Sequence, residues 1–545
     1  MRRPCGVFSL SDARHLALCL LAGTAALVGQ DQLASHKVIL DPQGKLLSWV
    51  QPQQKAYDRV MRLAWDFLLH KVPTESNGLK AFYSYCCLDP NSLRGSAWPH
   101  NPAGLYAMLV DSALPYYAYS GNRAVVDLVA GVLDYQLAHG TTPPDWMWGS
   151  VPFASADHGA TQYRGAHDFL YDKKTPGRGD GYGVIEPDKV GELGYGYLRF
   201  YELTGEVRYR RAALACADAL ARHVRPGDAE RSPWPFRVYA ETNIVREEYS
   251  ANVIGPIRLF DELTRLNMGD VPAYRRARQM AWNWTMAYPI ENNLWATYFE
   301  DVPVFAKPEN LNQYSPLETA RYLLQHPECD PEWRNHVLRL IQWVEKTFVV
   351  DVPPGEPKER AVQFGANAVS EQTHYMPKMG SHTARYASVL ALWHEMTGDA
   401  EAKEKAFRSF NWATYMCRED GAVQVGPVLD RSIWFTDGYG DYIRHFMAGL
   451  GSVPEWAPPN ENHLLRSSSV VRSVSYLEKE VNYLTFDDHS TEVLRLAFTP
   501  RHVLADGREL AKRSDLAQAG WTFDARTGTM VVNHQNSSLV RILGE

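Results

Sequence analysis

Apolar residues recur with helical spacing along most of the chain, and the helices that they predict come in pairs. Five times an amphipathic helix ends at a short turn with Gly or Pro and is followed directly by a second helix. The turns lie at Gly121, Gly205, Gly269, Pro327 and Gly398. Each pair is a helical hairpin, and repeated hairpins are typical of architectures in which neighbouring units bury each other's apolar faces.

Two further helices have no partner within the repeat, one at each end of the array, at about 54–70 and 438–450. Pairing them would close a ring of about twelve helices, which accounts for both the repeat and the length of 545 residues. An open solenoid is the structural alternative. We therefore expect a mainly α fold, an (α/α)6-type toroid of helical hairpins.

After Pro454 the pattern changes to alternating, β-branched segments separated by D-G and T-G turns. Such segments are typical of strands in a small all-β domain. We expect this domain at 456–545, packed against the ring and covering apolar surface, with the ring itself at 31–455.

The first thirty residues have the pattern of a secretory signal peptide. Arg2 and Arg3 precede an apolar stretch at 16–29, and polar Gln30 follows it. That stretch is too short to cross a bilayer, which takes about 20 apolar residues. The sequence therefore predicts a signal peptide at 1–30, a secreted or periplasmic protein, and no membrane attachment after its removal.

The segments that join consecutive hairpins are much longer than the turns inside them. They run at 141–187, 225–248, 287–315, 349–379 and 418–437. Loops of this length in a compact domain are usually functional. In an antiparallel ring they all emerge on one face, where the next helices begin. We therefore expect a site on that face, with the positive ends of the helix dipoles directed at an anionic ligand.

Titratable side chains are concentrated in and just after these links. His382 and Arg385 lie about one turn apart on a helix that we expect to begin near Ser381, a good N-cap. With His374 and Tyr375 they suggest a base, a proton donor and a cation that neutralises a carboxylate. The further catalytic candidates are Asn252, Tyr298, Glu300 and Asp301.

Aromatic residues are abundant, with 16 Trp, 29 Tyr and 19 Phe. Most aromatic residues of a soluble chain belong to its core, but those in the links could stack on sugar rings. Together with polar neighbours, the substrate-binding candidates are Trp146, Trp148, His158, Arg164, Trp234, Tyr249, Trp295, Tyr314, Trp434, Asp437 and Tyr439.

Charge and motifs exclude several classes of protein. The formal net charge is -7 and there is no basic run, so nucleic-acid binding has no electrostatic support. HExxH, P-loop and GxGxxG motifs are absent from the sequence, and the two histidines 374 and 382 are too far apart for a helical ligand pair. We expect no cofactor and no catalytic metal; a structural calcium and the oligomeric state stay open.

An exported chain with a ring of helical hairpins followed by a β domain resembles the (α/α)-toroid carbohydrate-active enzymes. The order of the domains is similar to that of alginate- and heparinase-type polysaccharide lyases, which use Tyr, His, Asn and Arg in β-elimination from a uronate. The resemblance implies an enzyme that cleaves an acidic polysaccharide or oligosaccharide. Leu294 follows Asn292 and Asn293 where alginate lyases have a histidine, so His374 or His158 would have to act instead.

Toroid glycoside hydrolases are the second group, and they use paired carboxylates. Glu300 or Asp301 on one wall and Asp437 or Asp441 on another could be the acid and the base. A uronate epimerase, which uses the same proton chemistry as a lyase, and a non-catalytic glycan-binding protein are the remaining alternatives.

Overall fold

The computed structural model describes residues 32–96, 98–167, 180–297, 310–350, 363–373, 375–427 and 432–545. The expected signal peptide lies outside these residues. Within the described ranges there are twelve α-helices longer than ten residues. They are α1 (Ala56–Asp66), α2 (Pro102–Ser120), α3 (Arg123–His139), α4 (Pro187–Thr204), α5 (Val207–His223), α6 (Ile254–Arg265), α7 (Val271–Ala287), α8 (Tyr314–Gln325), α9 (Trp333–Val344), α10 (Gly380–Thr397), α11 (Ala400–Thr414) and α12 (Asp441–Ser452).

The helices form a closed double ring. The even-numbered helices are the inner ones: each packs against the next, and α12 returns to pack against α2. The odd-numbered helices lie outside them, and α1 contacts both α11 and α12. The two helices that lacked partners in the repeat therefore do close the ring, and the open solenoid is excluded.

Burial explains which helices are inner. The inner helix α10 is buried continuously from Gly380 to Trp393, because other helices surround it. The outer helix α5 buries residues only at helical spacing, such as Tyr209, Ala213 and Cys216, and exposes the charged face between them. None of the helices in the described ranges is both long and apolar enough to cross a membrane.

Short strands occur before α1 and in the links. They are β1 (Gln32–Leu33), β2 (His36–Lys37), β3 (Ile39–Leu40), β4 (Leu46–Leu47), β5 (Cys87–Leu88), β6 (Val184–Ile185), β7 (Arg237–Tyr239), β8 (Val245–Glu247), β9 (Ser370–Gln372), β10 (Tyr375–Lys378) and β11 (Ile433–Trp434).

Backbone hydrogen bonds join each link to its neighbours around the ring. β6 of the first link pairs with β7 of the second, and β11 of the last link pairs with β5 of the segment before α2. Between them, Gln313 N–H donates to the Glu371 carbonyl at 3.3 Å and Gly380 N–H to the Val425 carbonyl at 2.9 Å. The links thus form a collar at the end of the ring where the inner helices begin.

The C-terminal strands form a sandwich of two antiparallel sheets. The strands are β12 (His463–Ser467), β13 (Val471–Leu477), β14 (Glu480–Thr485), β15 (His489–Arg495), β16 (Pro500–Ala505), β17 (Arg508–Glu509), β18 (Gly520–Asp524), β19 (Thr529–Gln535) and β20 (Leu539–Gly544). One sheet has the order β12-β15-β19-β18 and the other β13-β14-β20-β16-β17. In β14, Val481 and Tyr483 alternate with less buried residues, as a strand with one core-facing side requires.

The sandwich packs on the end of the ring opposite the collar. The ring of His463, at the start of β12, stacks on Tyr119 near the end of α2 at a centroid distance of 3.9 Å. The Tyr117 hydroxyl donates to the Arg472 carbonyl at 3.3 Å, and Tyr201 on α4 meets Phe486 edge-on. The sandwich therefore closes one end of the ring and leaves the collar end for a site.

Candidate active site

Ionisable side chains from several inner helices meet at the collar end of the ring. Asp188 and Glu192 lie in the first turns of α4, Tyr314 begins α8, and His382 lies in the first turn of α10. We call the whole group the acid–base cluster; its members are Asp188, Glu192, Asn252, Tyr314, Glu371, His382 and Asp437.

A buried pair of carboxyl groups forms one side of the cluster. The Asn252 amide donates to Asp188 Oδ2 at 3.2 Å and to Glu192 Oε1 at 2.8 Å, and the Tyr314 hydroxyl donates to the same Glu192 oxygen at 3.2 Å. Burial raises the pKa of both carboxyl groups, and the nearby Lys189 ammonium opposes the rise. Lys189 Nζ lies 3.6 Å from Asp188 Oδ2 and 3.9 Å from Glu192 Oε2, so a single positive charge faces both groups, which favours one ionised and one neutral carboxyl.

Two glycines make room for this pair. A Cβ atom on Gly255 of α6 would lie 2.6 Å from Glu192 Cγ, and one on Gly104 of α2 would lie 3.3 Å from Lys189 Cε. Both distances are shorter than ordinary van der Waals contacts, so a side chain at Gly255 would displace the glutamate. The spacing of α4 and α6 is therefore part of how the site is built.

The other side of the cluster contains His382, whose tautomer is determined by its neighbours. Gln313 Nε2 and Arg385 Nη1 each lie 2.8 Å from His382 Nδ1. Because a guanidinium has no acceptor, Nδ1 must accept and the proton must reside on Nε2. His382 Nε2 lies 3.5 Å from Glu371 Oε1 and is buried without a hydrogen-bond partner among the described residues. In this arrangement His382 is a hydrogen-bond donor, not the base expected from the sequence.

The Arg385 guanidinium interacts with other side chains of the protein. Its side chain is 1% exposed, forms an ion pair with Asp441, donates to Gln313 Oε1 at 3.2 Å and lies 4.4 Å above the Tyr314 ring. These contacts occupy the guanidinium within the protein, and the role expected for Arg385 toward a substrate carboxylate stays a prediction. Asp441 is no proton donor: burial would raise its pKa, but Arg385, Arg444 and His445 hold that pKa well below the usual value.

The environment of Asp437 shifts its pKa in the opposite direction to that of Asp441. It is 4% exposed and lies in a π-helical turn just before α12. Burial raises its pKa to about 6, and nearby Glu371 and Asp441 add to the rise, although His382 and Ser381 oppose it. The Ser381 hydroxyl donates to Asp437 Oδ1 at 2.5 Å. A carboxyl group with such a pKa keeps its proton in mildly acidic solution, up to about pH 6, and is suited to general acid catalysis there.

Comparison with known proteins identifies the fold. No family model matches the chain, and no curated protein matches it. Solved structures do: cellobiose 2-epimerase from Spirochaeta thermophila DSM 6192 has a TM-score of 0.53 and 10% identity over 74% of this chain and 97% of its own. D-mannose isomerase has a TM-score of 0.53 and 9% identity, and the match covers 75% of this chain and 100% of the isomerase. Cellobiose 2-epimerase from Bacillus thermoamylovorans B4167 has a TM-score of 0.52 and 9% identity, and the match covers 73% of this chain and 99% of the epimerase. The chain folds as an (α/α)6 toroid.

Several aromatic candidates belong to the core of the toroid. Trp148 is fully buried, stacks on His223 and donates through Nε1 to Asn243 at 2.7 Å. Trp234 is 3% exposed and donates to the Leu220 carbonyl. Tyr249, Trp295 and Tyr439 are buried as well. Their rings pack against protein in this structure, which corrects the expectation that they stack on sugar.

The other candidates are accessible or lie outside the described residues. Trp434 is half-buried and meets Trp98 edge-on at 5.2 Å, so this pair can offer an aromatic wall at the mouth of the toroid. Tyr375 is 38% exposed. Trp146 is half-buried, and His158 and Arg164 are exposed on the first link. The candidates Tyr298, Glu300, Asp301 and His374 fall outside the described residues.

Sequence reasoning missed one half of the acid–base cluster. Asp188 and Glu192 are four residues apart at the start of a predicted helix, so their shared face was readable from the sequence. Gln313 and Glu371 carry no comparable pattern, because only the packing of α8, α10 and β9 brings them to His382. The helix start expected near Ser381 is confirmed, since α10 begins at Gly380, but Ser381 is not the N-cap: its hydroxyl donates to Asp437.

Proposed function

We propose that this protein is a carbohydrate-active enzyme that cleaves a glycosidic bond by acid–base catalysis between carboxyl groups. Asp437 is the proton donor, and the pair Asp188 and Glu192 supplies the base. The observation that carries the proposal is the environment of Asp437, in which burial raises its pKa to about 6. A protonated carboxyl paired with an ionised one is the arrangement that glycoside hydrolysis requires.

The reaction proceeds as follows in this proposal. The Asp437 carboxyl gives its proton to the glycosidic oxygen as the bond to the anomeric carbon breaks. An ionised carboxylate of the pair takes a proton from water, whose oxygen forms the new bond to that carbon. Asn252 and Tyr314 hold Glu192 in place, and the Nε2–H of His382 can donate to a sugar hydroxyl. The partly exposed Trp98 and Trp434 provide an aromatic surface for a sugar ring.

Hydrolysis is favoured over elimination by the contacts of Arg385 and His382. Elimination from a uronate needs a cation available to the substrate carboxylate and a base near the acidic proton. Arg385 is engaged by Asp441 and Gln313, and Nδ1 of His382 accepts from Arg385. A sugar substrate agrees with the fold, since the cellobiose epimerases and mannose isomerase of similar structure are sugar enzymes by name.

A lyase acting on an acidic polysaccharide is the second candidate. Tyr375 is 38% exposed and belongs to the same hairpin as Glu371, so a phenol group is accessible beside the acid–base cluster. This exposure suits a proton donor or acceptor in β-elimination.

The two reactions leave different products. The purified protein is incubated with neutral glucans, glucuronan and alginate while reducing ends and the ultraviolet absorbance of an unsaturated product are followed. We expect reducing ends to appear without that absorbance, and loss of this activity in Asp437→Asn. Asp127→Asn is the matched control, because Asp127 is 69% exposed on the outer helix α3. A rise of both signals would establish the lyase, and sugar interconversion without either signal would establish an epimerase.

A further inference from the structure

A second cluster of titratable side chains lies at the opposite end of the toroid, between α1 and the segment that leads into β12. Asp58 of α1, Glu461 and His463 each offer one potential ligand atom, and these atoms lie within 4.8 Å of one another. Asp58 and His463 are buried, whereas Glu461 is 42% exposed. The reaction proposed above uses none of these residues.

The imidazole of His463 is fixed in one orientation and one tautomer. Its Nδ1 lies 2.9 Å from the Tyr119 carbonyl, and its ring stacks on Tyr119 with an interplanar angle of 9°. Because a carbonyl oxygen only accepts, Nδ1 carries the proton and the neutral ring has a lone pair on Nε2. Histidines that ligate metals commonly have this arrangement, with the other ring nitrogen donating to a backbone carbonyl.

The free nitrogen of His463 points into the cluster without a hydrogen-bond partner. Nε2 is buried and unpartnered among the described residues, and Glu461 Oε2 lies 3.3 Å from it. The neutral ring places a lone pair against this carboxylate oxygen, and the two repel each other unless Nε2 binds a positive charge, which is either a proton, giving an ion pair, or a cation.

Arg62 supplies positive charge to the carboxylates of the cluster. Its Nε donates to both oxygens of Asp58 at 2.8 Å, and its Nη2 donates to Glu461 at 2.8 Å. The Tyr119 hydroxyl also donates to Asp58 Oδ1, at 2.7 Å. The Arg62 side chain is 38% exposed, so the guanidinium can move into solvent without crossing the core.

We propose that Asp58, Glu461 and His463 bind a divalent cation of the Zn²⁺ class, for which Arg62 is an internal competitor. One imidazole and two carboxylates suit Zn²⁺, and their two negative charges balance its two positive charges. Bonds of about 2.0–2.2 Å place ligand atoms roughly 3.3 Å apart, so the cluster closes by about 1.5 Å at most when the ion enters. Exposed Glu461 can supply that movement. The ion would link α1 to the β-sandwich.

The variant Arg62→Gln distinguishes a cation site from an ion-pair network that binds no metal. Metal-free protein and the variant Arg62→Gln are titrated with Zn²⁺ by calorimetry and with Co²⁺ by visible absorption, which reports the coordinating groups. We expect one Zn²⁺ per chain in both proteins, bound at least about tenfold more tightly by Arg62→Gln because the competing cation is gone. Glu461→Gln and His463→Gln, each combined with Arg62→Gln, should lose this binding.

His502→Gln is the control for cation binding elsewhere on the surface. It removes an exposed histidine that pairs with Glu509 and lies outside the cluster. This variant should bind the cation as the wild type does. If the His463 variant does not fold, the Glu461 variant still tests the site, since its side chain is partly exposed and its replacement disturbs the core less. Equal affinity of wild type and Arg62→Gln, or undiminished binding by Arg62→Gln/Glu461→Gln, would overturn the proposal and leave an Arg62-centred ion-pair network.

Discussion

Two aspartates one turn apart near the start of α12 have opposite protonation behaviour. Both are almost fully buried, so desolvation favours the neutral form of each. Asp441 also faces Arg385, Arg444 and His445, whose charges and hydrogen bonds keep it ionised. At Asp437 only His382 and the Ser381 hydroxyl oppose the effect of burial, and the pKa of Asp437 rises to about 6. The local environment therefore supports the role of proton donor that we propose for Asp437 and keeps Asp441 an anion.

Asp437→Asn is expected to reduce kcat by at least about 100-fold, because the proton donor is lost. The same change should stabilise the fold at neutral pH. The pKa of Asp437 is about 6 in the folded state and 3.8 without burial, so its effect on stability is unfavourable and grows as pH rises from about 4 to about 6. Above pH 6 the gain in the free energy of unfolding should be about 2–3 kcal/mol.

Urea unfolding of both proteins at pH 4 and pH 8 measures this gain. The difference between the variant and the wild type should be small at pH 4 and larger at pH 8. Asp127→Asn, an exposed aspartate, should leave both activity and stability unchanged. A variant that is less stable than the wild type at pH 8 would contradict the assignment of a destabilising carboxylate.

Ser381→Ala should move the basic limb of the pH profile to higher pH. The Ser381 hydroxyl donates to Asp437 and thereby lowers its pKa, so removing the hydroxyl raises that pKa above its present value of about 6. A general acid is active while protonated, and activity falls as pH rises through its pKa. The profile of kcat/KM against pH reports this limb. A shift to lower pH would show that a different group is the acid.

At the scale of elements, small residues set how closely the inner helices approach. Gly255 of α6 lies against Glu192 of α4, and Gly380 at the start of α10 lies against Met416. These contacts determine where the first turns of the inner helices stand, and the first turns carry the acid–base cluster. Helix packing and site geometry are thus the same property of the toroid.

Gly255→Ala should destabilise the protein by about 1–3 kcal/mol and reduce kcat, since the new methyl group overlaps Glu192 Cγ. Chemical denaturation and steady-state kinetics measure the two effects. Gly131→Ala is the matched control: Gly131 is exposed inside α3, and a Cβ there would meet nothing within 4 Å. That change should stabilise the helix by about 0.5–1 kcal/mol without affecting activity. Equal responses of the two variants would refute the role given to Gly255.

At the scale of the whole molecule, the ring and the β-sandwich share buried contacts. Ala118 of α2 belongs to the apolar core of the sandwich together with Val481 and Ile542. The Tyr476 hydroxyl of β13 donates to the Ala118 carbonyl and accepts from Leu464 N–H at 2.9 Å. We therefore expect the two parts to unfold together in calorimetry.

Tyr476→Phe should lower the free energy of unfolding by about 1–3 kcal/mol, because it leaves the Leu464 N–H and the Ala118 carbonyl without their partner. Tyr135→Phe removes an exposed hydrogen bond to the Thr161 carbonyl and should cost less. Thermal unfolding followed by calorimetry compares the variants. Two separate transitions, of which only one moves in Tyr476→Phe, would show that the sandwich folds independently of the ring.

The helical ring could be predicted because its pattern is local and repeated. The predicted hairpin turns at Gly121, Gly205 and Gly398 each end an inner helix, and the structure places all three glycines in the left-handed conformation. The segments predicted as strands after Pro454 form the sandwich. For the site, the proximity of His382 and Arg385 on one helix face was correctly expected, since one turn of helix separates them. Their contacts with Gln313 and Asp441 could not be expected, because these two residues come from distant segments of the chain.

The sequence by itself therefore determined the helices, their pairing and the strands, because each follows from short-range periodicity. Only the tertiary structure decided which polar groups are available for chemistry. Arg385 and Asp441 neutralise each other in the interior, whereas Asp437 and the pair Asp188 and Glu192 are left with raised pKa values. The physical reason is that protonation and availability depend on burial and on charges brought together from distant segments, and neither is encoded in the spacing of neighbouring residues.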